Sequence, residues 1–254
     1  MKTTGKLNFI VLDTVTSTNR FVADELDDAP HGTVVMAREQ TAGRGQRGNS
    51  WEAAPGMNVT MSIVLRPEAL DVTRQWRMSQ AVSVGAAKWL CGMLTDVPGA
   101  VALKWPNDLY VGDCKIGGIL IENSLDGRSI RRAIVGIGLN VNQVEFRSDA
   151  PNPVSLAMLT SRRYDVEAAS RSLAASMVGE FERCGLTEDW EERLDRDYMS
   201  LLWHRNGLHP FIDAATGVRF MAWVDGIEPD GPLLLCLPDG SLRRYAFKEV
   251  IQPV

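Results

Sequence analysis

The stretch VALKWPNDLYVGDCKIGGILIENSLDGRSIRRAIVGIGLNVN, residues 101–142, contains four apolar segments that are separated by short turn sequences. Residues 106–107, 112–113 and 126–127, which are Pro-Asn, Gly-Asp and Asp-Gly, mark the turns because these residue types favour tight-turn conformations. Strands joined by turns this short must run in opposite directions. The stretch therefore predicts a series of antiparallel hairpins.

Helical spacing of apolar residues precedes and follows this stretch. The best example starts at Met78 and ends at Met93, where apolar residues recur at helical intervals along one face. Helices are also predicted between residues 166 and 199. Further strands are predicted at residues 6–12, 33–37 and 58–65. Strands grouped apart from helices predict an α+β fold, with a mixed and mostly antiparallel sheet flanked by helices.

A small all-β module of about fifty residues is predicted after Trp203. Its apolar segments lie near residues 218–224, 233–237 and 242–247, with turn sequences between them. No internal repeat or long linker separates the module from the preceding chain. We therefore expect it to pack directly on the main domain.

Composition excludes several classes of protein. Hydrophobic residues make up 45% of the 254 residues and charged residues 23%, which is ordinary usage for a globular domain. The formal charge of -5 gives the whole surface no preference for nucleic acid or anionic membranes. The apolar run at residues 9–12 is too short for a signal peptide, and no run reaches the roughly 18 residues of a membrane helix.

Cysteine and histidine usage bounds the chemistry further. The four cysteines are widely spaced and match neither a CxxC redox motif nor paired zinc-ligand spacing. With three histidines, a His-based metal site or a His-based nucleophilic site is disfavoured. We expect a reduced chain in the cytoplasm, without nucleic-acid or membrane partners.

The segment REQTAGRGQRGNSW, residues 38–51, contains a G-x-G-x-x-G pattern at residues 43–48. A dinucleotide site requires this pattern to open a helix, but no helical spacing follows it here. Two interpretations remain open. The glycines and Arg38, Arg44 and Arg47 suit a flexible loop that binds a carboxylate or phosphate, whereas the alternative is a solvated glycine turn with incidental arginines.

A second candidate is KWPNDLYVGDCKIGGILIE, residues 104–122. Lys104 ends one predicted strand, Asp108 lies in the turn, and Lys115 begins the next strand, so both lysines are expected to project toward one place. Two lysines beside a carboxylate suit electrostatic stabilisation of a phosphoryl-transfer transition state, with or without a metal. The alternative is a surface hairpin with solvated lysines.

Taken in order, five segments resemble a biotin protein ligase. They are Ser-Thr-Asn at 17–19, GRGQRG at 43–48 followed by Trp51, KWPND at 104–108, CKIGGILIE at 114–122 and GIGLNVN at 136–142. The segment DGSLRRYAFKEV, residues 239–250, is similar to the small C-terminal barrel of that family. The resemblance covers nearly the whole chain.

The resemblance implies a class II synthetase-like catalytic domain at residues 1–202 and an SH3-like barrel at residues 203–254. It implies ATP-dependent activation of biotin to biotinyl-5′-AMP with release of pyrophosphate. Biotin is then transferred to a lysine of a biotin carboxyl carrier protein, the biotinyl domain of a carboxylase. Biotin, ATP and Mg²⁺ are the implied substrates and cofactor.

The family's functional residues carry over position by position. The biotin contacts implied are Ser17, Thr18, Asn19, Gln40, Gly43, Arg44, Gly45, Lys115, Gly117 and Gly118. The nucleotide contacts implied are Arg47, Trp51, Lys104, Asn107 and Asn140. Lys115, Arg44 and Asp108 are implied in catalysis, and Asp108 also in metal binding. Helix capping by Ser17 and core packing by Trp51 are the structural alternatives.

Two departures and three rival functions qualify the resemblance. Gln46 and Asn49 stand where many relatives place arginines, which weakens the expected phosphate contacts of the loop. The chain begins directly with the catalytic strand, so we expect the monofunctional type without an N-terminal helix-turn-helix. The rivals are a lipoate or octanoate ligase, a non-catalytic vitamin-binding protein and a DNA-binding biotin sensor.

Overall fold

The computed structural model describes residues 7–67, 70–97, 101–148 and 152–253, and it describes the backbone but not the side chain of Arg47. Its larger sheet has seven strands in the order β1-β2-β3-β7-β6-β5-β4. These are β1 (Asn8–Val15), β2 (Thr33–Gln40), β3 (Val59–Leu65), β4 (Val101–Lys104), β5 (Asp108–Val111), β6 (Cys114–Asp126) and β7 (Ser129–Leu139).

The pairing of this sheet confirms the predicted fold class. Strands β1 and β2 run parallel, and every other neighbouring pair is antiparallel. The three predicted turns join β4 to β5, β5 to β6 and β6 to β7, as expected. The helices are α1 (Thr18–Glu25), α2 (Gln75–Met93), α3 (Leu156–Thr160), α4 (Val166–Glu182) and α5 (Trp190–Leu201).

The two faces of the sheet carry different side chains, because successive residues of a strand point to opposite sides. On the core face, Val135, Ile137 and Leu139 of β7 join the main hydrophobic core with residues of α2, α4 and α5. On the opposite face, Ile134 packs in a smaller cluster with Val22 of α1. We call this second side the cavity face, because the functional cavity lies there beyond α1.

Helices α2 and α4 pack closely across the core face. A Cβ atom at Gly85 of α2 would lie 2.7 Å from the Cα atom of Met177 in α4. The hydroxyl of Ser176 donates a hydrogen bond of 2.7 Å to the carbonyl oxygen of Gly85. Contact at this distance requires a residue without a side chain, so Gly85 sets the separation of the two helices.

The C-terminal module is a second sheet of five strands in the order β11-β10-β9-β8-β12. Its strands are β8 (His209–Asp213), β9 (Arg219–Ile227), β10 (Leu233–Cys236), β11 (Leu242–Tyr245) and β12 (Val250–Ile251). The sequence predicted three of them. β8 contains a proline and β12 has two residues, so neither carries a clear alternating pattern.

The predicted C-terminal β-module is therefore confirmed, and its five strands form a sheet that does not close into a complete barrel within the described ranges. Within the described ranges β12 pairs with β8 and β11 pairs with β10, and no pairing joins β11 to β12. A two-residue strand offers too few backbone groups to complete a ladder on both sides. The module is an open sheet whose inner side chains, including Phe211, Leu235 and Tyr245, are buried.

None of the helices in the described part of the chain is long and apolar enough to cross a membrane.

Replacement of Gly85 by alanine should destabilise the protein by about 1–3 kcal/mol, because the added methyl group overlaps the backbone of α4. Urea denaturation measures the change in the free energy of unfolding. Gly92→Ala is the matched control, since Gly92 lies on the exposed side of the same helix with open space around it. That variant should be neutral or more stable by up to about 1 kcal/mol. Equal effects of the two substitutions would contradict the packing argument.

Candidate functional site

A cavity of about 640 Å³ lies over the cavity face of the larger sheet. It brings together residues that are far apart in the sequence. Twelve of the predicted site residues line it, namely Ser17, Thr18, Asn19, Gln40, Arg44, Gly45, Trp51, Asn107, Asp108, Lys115, Gly118 and Asn140. Gly43, Gly117 and Lys104 do not line it, and the side chain of Arg47 is outside the described part of the structure.

Glycines on the cavity face of β7 form the floor of this cavity. A Cβ atom at Gly136 would overlap the side-chain amide of Asn19. A Cβ atom at Gly138 would overlap the indole ring of Trp51. The sequence alternation Val-Gly-Ile-Gly-Leu thus places large residues in the core and leaves the other face open for two site side chains.

One row of cross-strand neighbours brings the catalytic candidates together. Thr60 of β3 pairs with Gly138 of β7, and Gly138 pairs with Gly118 of β6. Gly118 pairs with Asp108 of β5, which pairs with Lys104 of β4. Paired residues of an antiparallel sheet have side chains on the same face. The register of the hairpins therefore carries Asp108 to the cavity.

A polar network lies at the start of α1. The backbone N–H of Thr18 donates a hydrogen bond of 2.8 Å to Oε1 of Gln40. The buried Oγ of Ser62 lies 2.7 Å from Oγ1 of Thr18 and 2.6 Å from Oδ1 of Asn19. Asn19 Nδ2 donates a hydrogen bond of 2.8 Å to Oε2 of Glu122. These bonds fix the orientation of the polar groups that face the cavity.

Ser17 occupies the N-cap position of α1, but its side chain makes no capping hydrogen bond. It is nearly buried and lines the cavity. Simple helix capping therefore does not account for a serine at this position, and its hydroxyl is available to a ligand.

The glycine loop forms a compact turn beside the cavity. Its central residues, Gln46–Gly48, form a short 3-10 helix, so the motif does not open an α-helix, as the sequence predicted. Gly43 accepts a hydrogen bond of 2.9 Å from the N–H of Trp51, which closes the loop. Arg44 Nη2 lies 3.1 Å from Oε1 of Glu122 on β6.

Gly43 and Gly117 do not line the cavity, and close packing against the backbone explains why each is a glycine. A Cβ atom at Gly43 would lie 2.6 Å from the carbonyl oxygen of Trp51, so glycine permits the closure of the loop. A Cβ atom at Gly117 would lie 2.8 Å from the carbonyl oxygen of Gly138 and 2.9 Å from the side chain of Leu139. Gly117 thus points to the core face, and Gly118 points to the cavity.

Lys115 and Asp108 form an ion pair on the cavity wall. Nζ of Lys115 lies 2.8 Å from Oδ2 of Asp108, and the two side chains are 24% and 26% exposed. A Cβ atom at Gly118 would lie 3.2 Å from Oδ1 of Asp108. A pair with this much solvent contact is weakly held, so an anionic ligand can compete with Asp108 for the lysine.

Lys104 lies in the same row but is held by aromatic rings instead of facing the cavity. Its Nζ lies 4.5 Å from the ring centroid of Trp203 and 5.1 Å from that of Tyr110. Burial lowers the pKa of Lys104 to about 8, and the nearby charge of Asp108 opposes this shift. The structure therefore does not place both predicted lysines on the cavity wall, because the rings of Tyr110 and Trp203 offer Lys104 a cation–π site.

Two nucleotide candidates carry buried polar atoms that lack a hydrogen-bond partner among the described residues. These atoms are Nε1 of Trp51 and Oδ1 of Asn140. The Asn140 Nδ2 group is used, since it donates a hydrogen bond of 3.0 Å to the carbonyl oxygen of Val154. Buried donors and acceptors are normally paired, so an unused donor and an unused acceptor on a cavity wall indicate a ligand with both functions. Core packing alone does not explain Trp51.

Several cavity residues were not found from the sequence. They are Gln46, Asn49, Ser50, Glu52, Met61, Pro106, Ile119, Leu120, Gly136, Ile137, Gly138, Phe146, Ser148, Pro153, Phe247 and Lys248. Ser62 and Glu122 support the site from behind. The glycines at 136 and 138 had a signal, since they alternate with core residues. Phe247 and Lys248 lie in the segment that resembles the C-terminal barrel, but nothing in the sequence indicated that this segment reaches the cavity.

Metal ligands are few in this region. Within the described ranges no group of three or more His, Cys, Asp or Glu side chains is placed to hold a metal ion. Asp108 is the carboxylate beside Lys115 on the cavity wall. A magnesium ion here would need ligands from a substrate, as is common where Mg²⁺ binds with nucleotide phosphates.

Fold and cavity together define an α+β protein with a small-molecule site built over a mixed sheet. The family model for the Biotin/lipoate A/B protein ligase family matches residues 11–140. The chain is 32% identical over 257 aligned positions to the bifunctional ligase/repressor BirA of Bacillus spizizenii, covering 94% of this chain and 72% of that protein. This chain belongs to the biotin/lipoate A/B protein ligase family.

Two further comparisons agree. A biotin–[acetyl-CoA-carboxylase] ligase of Paracoccus denitrificans is 39% identical over 140 residues, 52% of this chain and 56% of that protein. The biotin protein ligase of Aquifex aeolicus in complex with biotin and ATP superposes with a TM-score of 0.79. That match has 21% identity and covers 97% of this chain and 99% of the other. The fold extends over both sheets.

The aromatic site of Lys104 predicts a pH dependence of stability. Because burial lowers the pKa of Lys104 to about 8, the unfolded chain, with an ordinary lysine pKa of about 10.4, binds more protons at this residue between these pH values. The stability of the wild type relative to Lys104→Met should therefore rise as pH increases from 8 to about 10.4. Urea denaturation of both proteins at several pH values measures it. A stability difference that stays constant with pH would contradict the buried environment.

Proposed function

We propose that this protein is an ATP-dependent biotin protein ligase. It activates biotin to biotinyl-5′-AMP with release of pyrophosphate, and it transfers biotin to a lysine of a biotin carboxyl carrier protein. The observation that carries the proposal is the composition of one cavity, where the polar network around Thr18 and Gln40, the Lys115–Asp108 pair and the unpaired polar atoms of Trp51 and Asn140 all meet.

The first reaction joins two anions. A carboxylate oxygen of biotin attacks the α-phosphorus of ATP, the bond to the β-phosphate breaks, and pyrophosphate leaves with the electron pair. Lys115 and Arg44 offset the repulsion between the carboxylate and the phosphate and hold them in line. Both cations are paired with carboxylates in the free protein, Asp108 and Glu122 respectively, so they are ordered before the substrates arrive.

The polar network at α1 suits the neutral end of biotin. A ureido ring presents two N–H donors and one carbonyl acceptor, and it needs partners fixed in direction. Ser17 and Thr18 offer hydroxyl groups, and Gln40 offers an amide, all on the cavity wall. Ser62 and Glu122 hold their neighbours in place from behind, which reduces the entropy lost when the ligand binds.

The second reaction needs an uncharged amine. The lysine of the acceptor attacks the acyl carbon of the adenylate, the bond to the phosphate oxygen breaks, and AMP leaves as an amide forms. A free lysine is protonated near neutral pH, so it must lose a proton first. Asp108 is a carboxylate near the site of reaction and is our candidate for the group that accepts or orients this proton.

Asp108 is also the residue that would hold a magnesium ion brought in with ATP. A hard cation prefers carboxylate and phosphate oxygens, and nucleotide-bound Mg²⁺ commonly uses one or two protein carboxylates. Such an ion would neutralise charge on the phosphates.

Mass spectrometry of an acceptor biotinyl domain incubated with the protein, ATP and biotin tests this function. We expect one biotinyl group on one lysine, with release of AMP and pyrophosphate. A parallel reaction with lipoate is needed because the family includes lipoate ligases. Modification by lipoate in place of biotin, or no modification by either, would overturn the proposal.

The catalytic assignment of Lys115 gives a quantitative prediction. Lys115→Ala should slow adenylate formation by roughly 100- to 1,000-fold, since a charge-assisted contact to the transition state is worth about 3–4 kcal/mol. Biotin affinity should fall much less, because the ureido contacts lie elsewhere in the cavity. Pre-steady-state release of pyrophosphate at saturating biotin measures the first step, and calorimetric titration measures binding.

A double variant separates catalysis from an indirect charge effect. Lys115→Ala also leaves the carboxylate of Asp108 without its partner, and this charge could repel the phosphates. If that repulsion caused the loss, the double variant with Asp108→Asn would be as fast in the first step as Asp108→Asn alone. We expect the double variant to be slower than that single variant, and a near-wild-type first step in Lys115→Ala alone would refute the assignment.

A further inference from the structure

A tight turn of the C-terminal module reaches the wall of the functional cavity. The turn spans residues 246–249, and both Phe247 and Lys248 line the cavity. The N–H of Glu249 donates a hydrogen bond of 3.1 Å to the carbonyl oxygen of Ala246. The N–H of Ala246 donates one of 2.7 Å to Oε2 of Glu249. These two bonds close the turn from both ends.

Lys248 has an unfavourable backbone conformation for its residue type. Its φ angle is +80°, in the left-handed region at the third position of the turn. Type II turns have this angle at that position and usually place glycine there, because a Cβ atom crowds the backbone. The turn alone would favour glycine. A non-glycine residue in this strained conformation at a cavity wall indicates that its side chain has a function there.

One aromatic contact and one hydrogen bond, both made by Trp105, fix the position of this turn on the larger sheet. The rings of Phe247 and Trp105 meet edge to face with centroids 6.0 Å apart. Nε1 of Trp105 donates a hydrogen bond of 3.0 Å to the carbonyl oxygen of Gly231, in the same module. Trp105 lies in the connection between β4 and β5, three residues before Asp108. The module therefore holds Lys248 on the same side of the cavity as Asp108.

The charge of Lys248 is uncompensated within the part of the protein described. Arg44 and Lys115 each have a carboxylate partner, Glu122 and Asp108. Lys248 forms no ion pair with a carboxylate of the described residues, although it lies on the same cavity wall. Among the described residues, the charges of Arg44 and Lys115 are balanced by carboxylates, whereas the charge of Lys248 is not. This end of the cavity therefore attracts an additional anion.

We propose that Lys248 binds the β- and γ-phosphoryl groups of ATP, and so retains the leaving pyrophosphate during adenylate formation. The proposal rests on the proposed function. A neutral ureido ring gains little from a lysine, and the approaching acceptor amine would be repelled while it is charged. A polyphosphate is the anion that the activation reaction brings to the Asp108 side. The C-terminal module would thus contribute a residue to nucleotide recognition.

Nucleotide affinity of the full-length chain tests this assignment without relying on turnover. Lys248→Met keeps the length of the side chain and removes its charge. We expect it to weaken ATP binding about tenfold, as for loss of one charge-assisted contact, and to leave AMP binding within about twofold. The difference should shrink at high salt, because the contact is solvent-exposed. Lys248→Arg should retain most of the ATP affinity.

Two controls address folding and charge. Lys248→Gly relieves the left-handed strain, so it should be at least as stable in thermal unfolding and yet lose ATP affinity to the same extent as Lys248→Met. Arg219→Met removes a charge from an exposed position of the same module outside the cavity, and it should leave both affinities unchanged. Together they separate the phosphate contact from a loss of fold or of general charge.

Unchanged ATP affinity in Lys248→Met would overturn the proposal, as would equal losses for ATP and AMP. So would a selective loss in biotin transfer from isolated biotinyl-adenylate, which would assign Lys248 to the acceptor. A wild-type chain that binds ATP but biotinylates nothing would refute the proposed function, while the affinity comparison would still decide the role of Lys248. A wild-type chain that binds neither nucleotide would overturn both.

Discussion

The alternation of glycine with large apolar residues in β7 is the constraint on which the site depends. Core residues of this strand pack under α2 and α4, while Gly136 and Gly138 on the other face accept Asn19 and Trp51 against the backbone. Any side chain at these glycines would displace a wall of the cavity. The same strand therefore stabilises the fold with one face and shapes the ligand site with the other.

Two of the cations that line the cavity are paired with carboxylates before any ligand is present. Arg44 with Glu122 and Lys115 with Asp108 keep two cations ordered at partly exposed positions. Partly exposed pairs contribute little stability, so exchanging a carboxylate partner for a substrate anion costs little. This arrangement suits a reaction that must bring two negatively charged substrates together and then release a third anion.

The C-terminal module takes part in the site through its contacts with the larger sheet. Trp105 links the two by packing on Phe247 and by its hydrogen bond to Gly231. The proposed boundary between residues 202 and 203 falls within a region of close packing, since Trp203 is buried against Ala102 and Tyr110. Trp203 holds Lys104 as well, so the end of the first domain also determines where that lysine lies.

Local patterns in the sequence determined the hairpins between residues 101 and 142 and helix α2, because turns and helices depend on residues near one another. They also predicted that no α-helix follows the glycine motif. The ordered motifs also gave twelve of the residues that line the cavity. Tertiary structure alone decided that Glu122 supports Asn19 across 103 positions and that Lys104 turns to aromatic rings. Tertiary packing also left the second sheet open and placed Lys248 at the cavity. Contacts between residues far apart in the sequence depend on how the strands and helices pack together, and the local spacing of residues does not determine them.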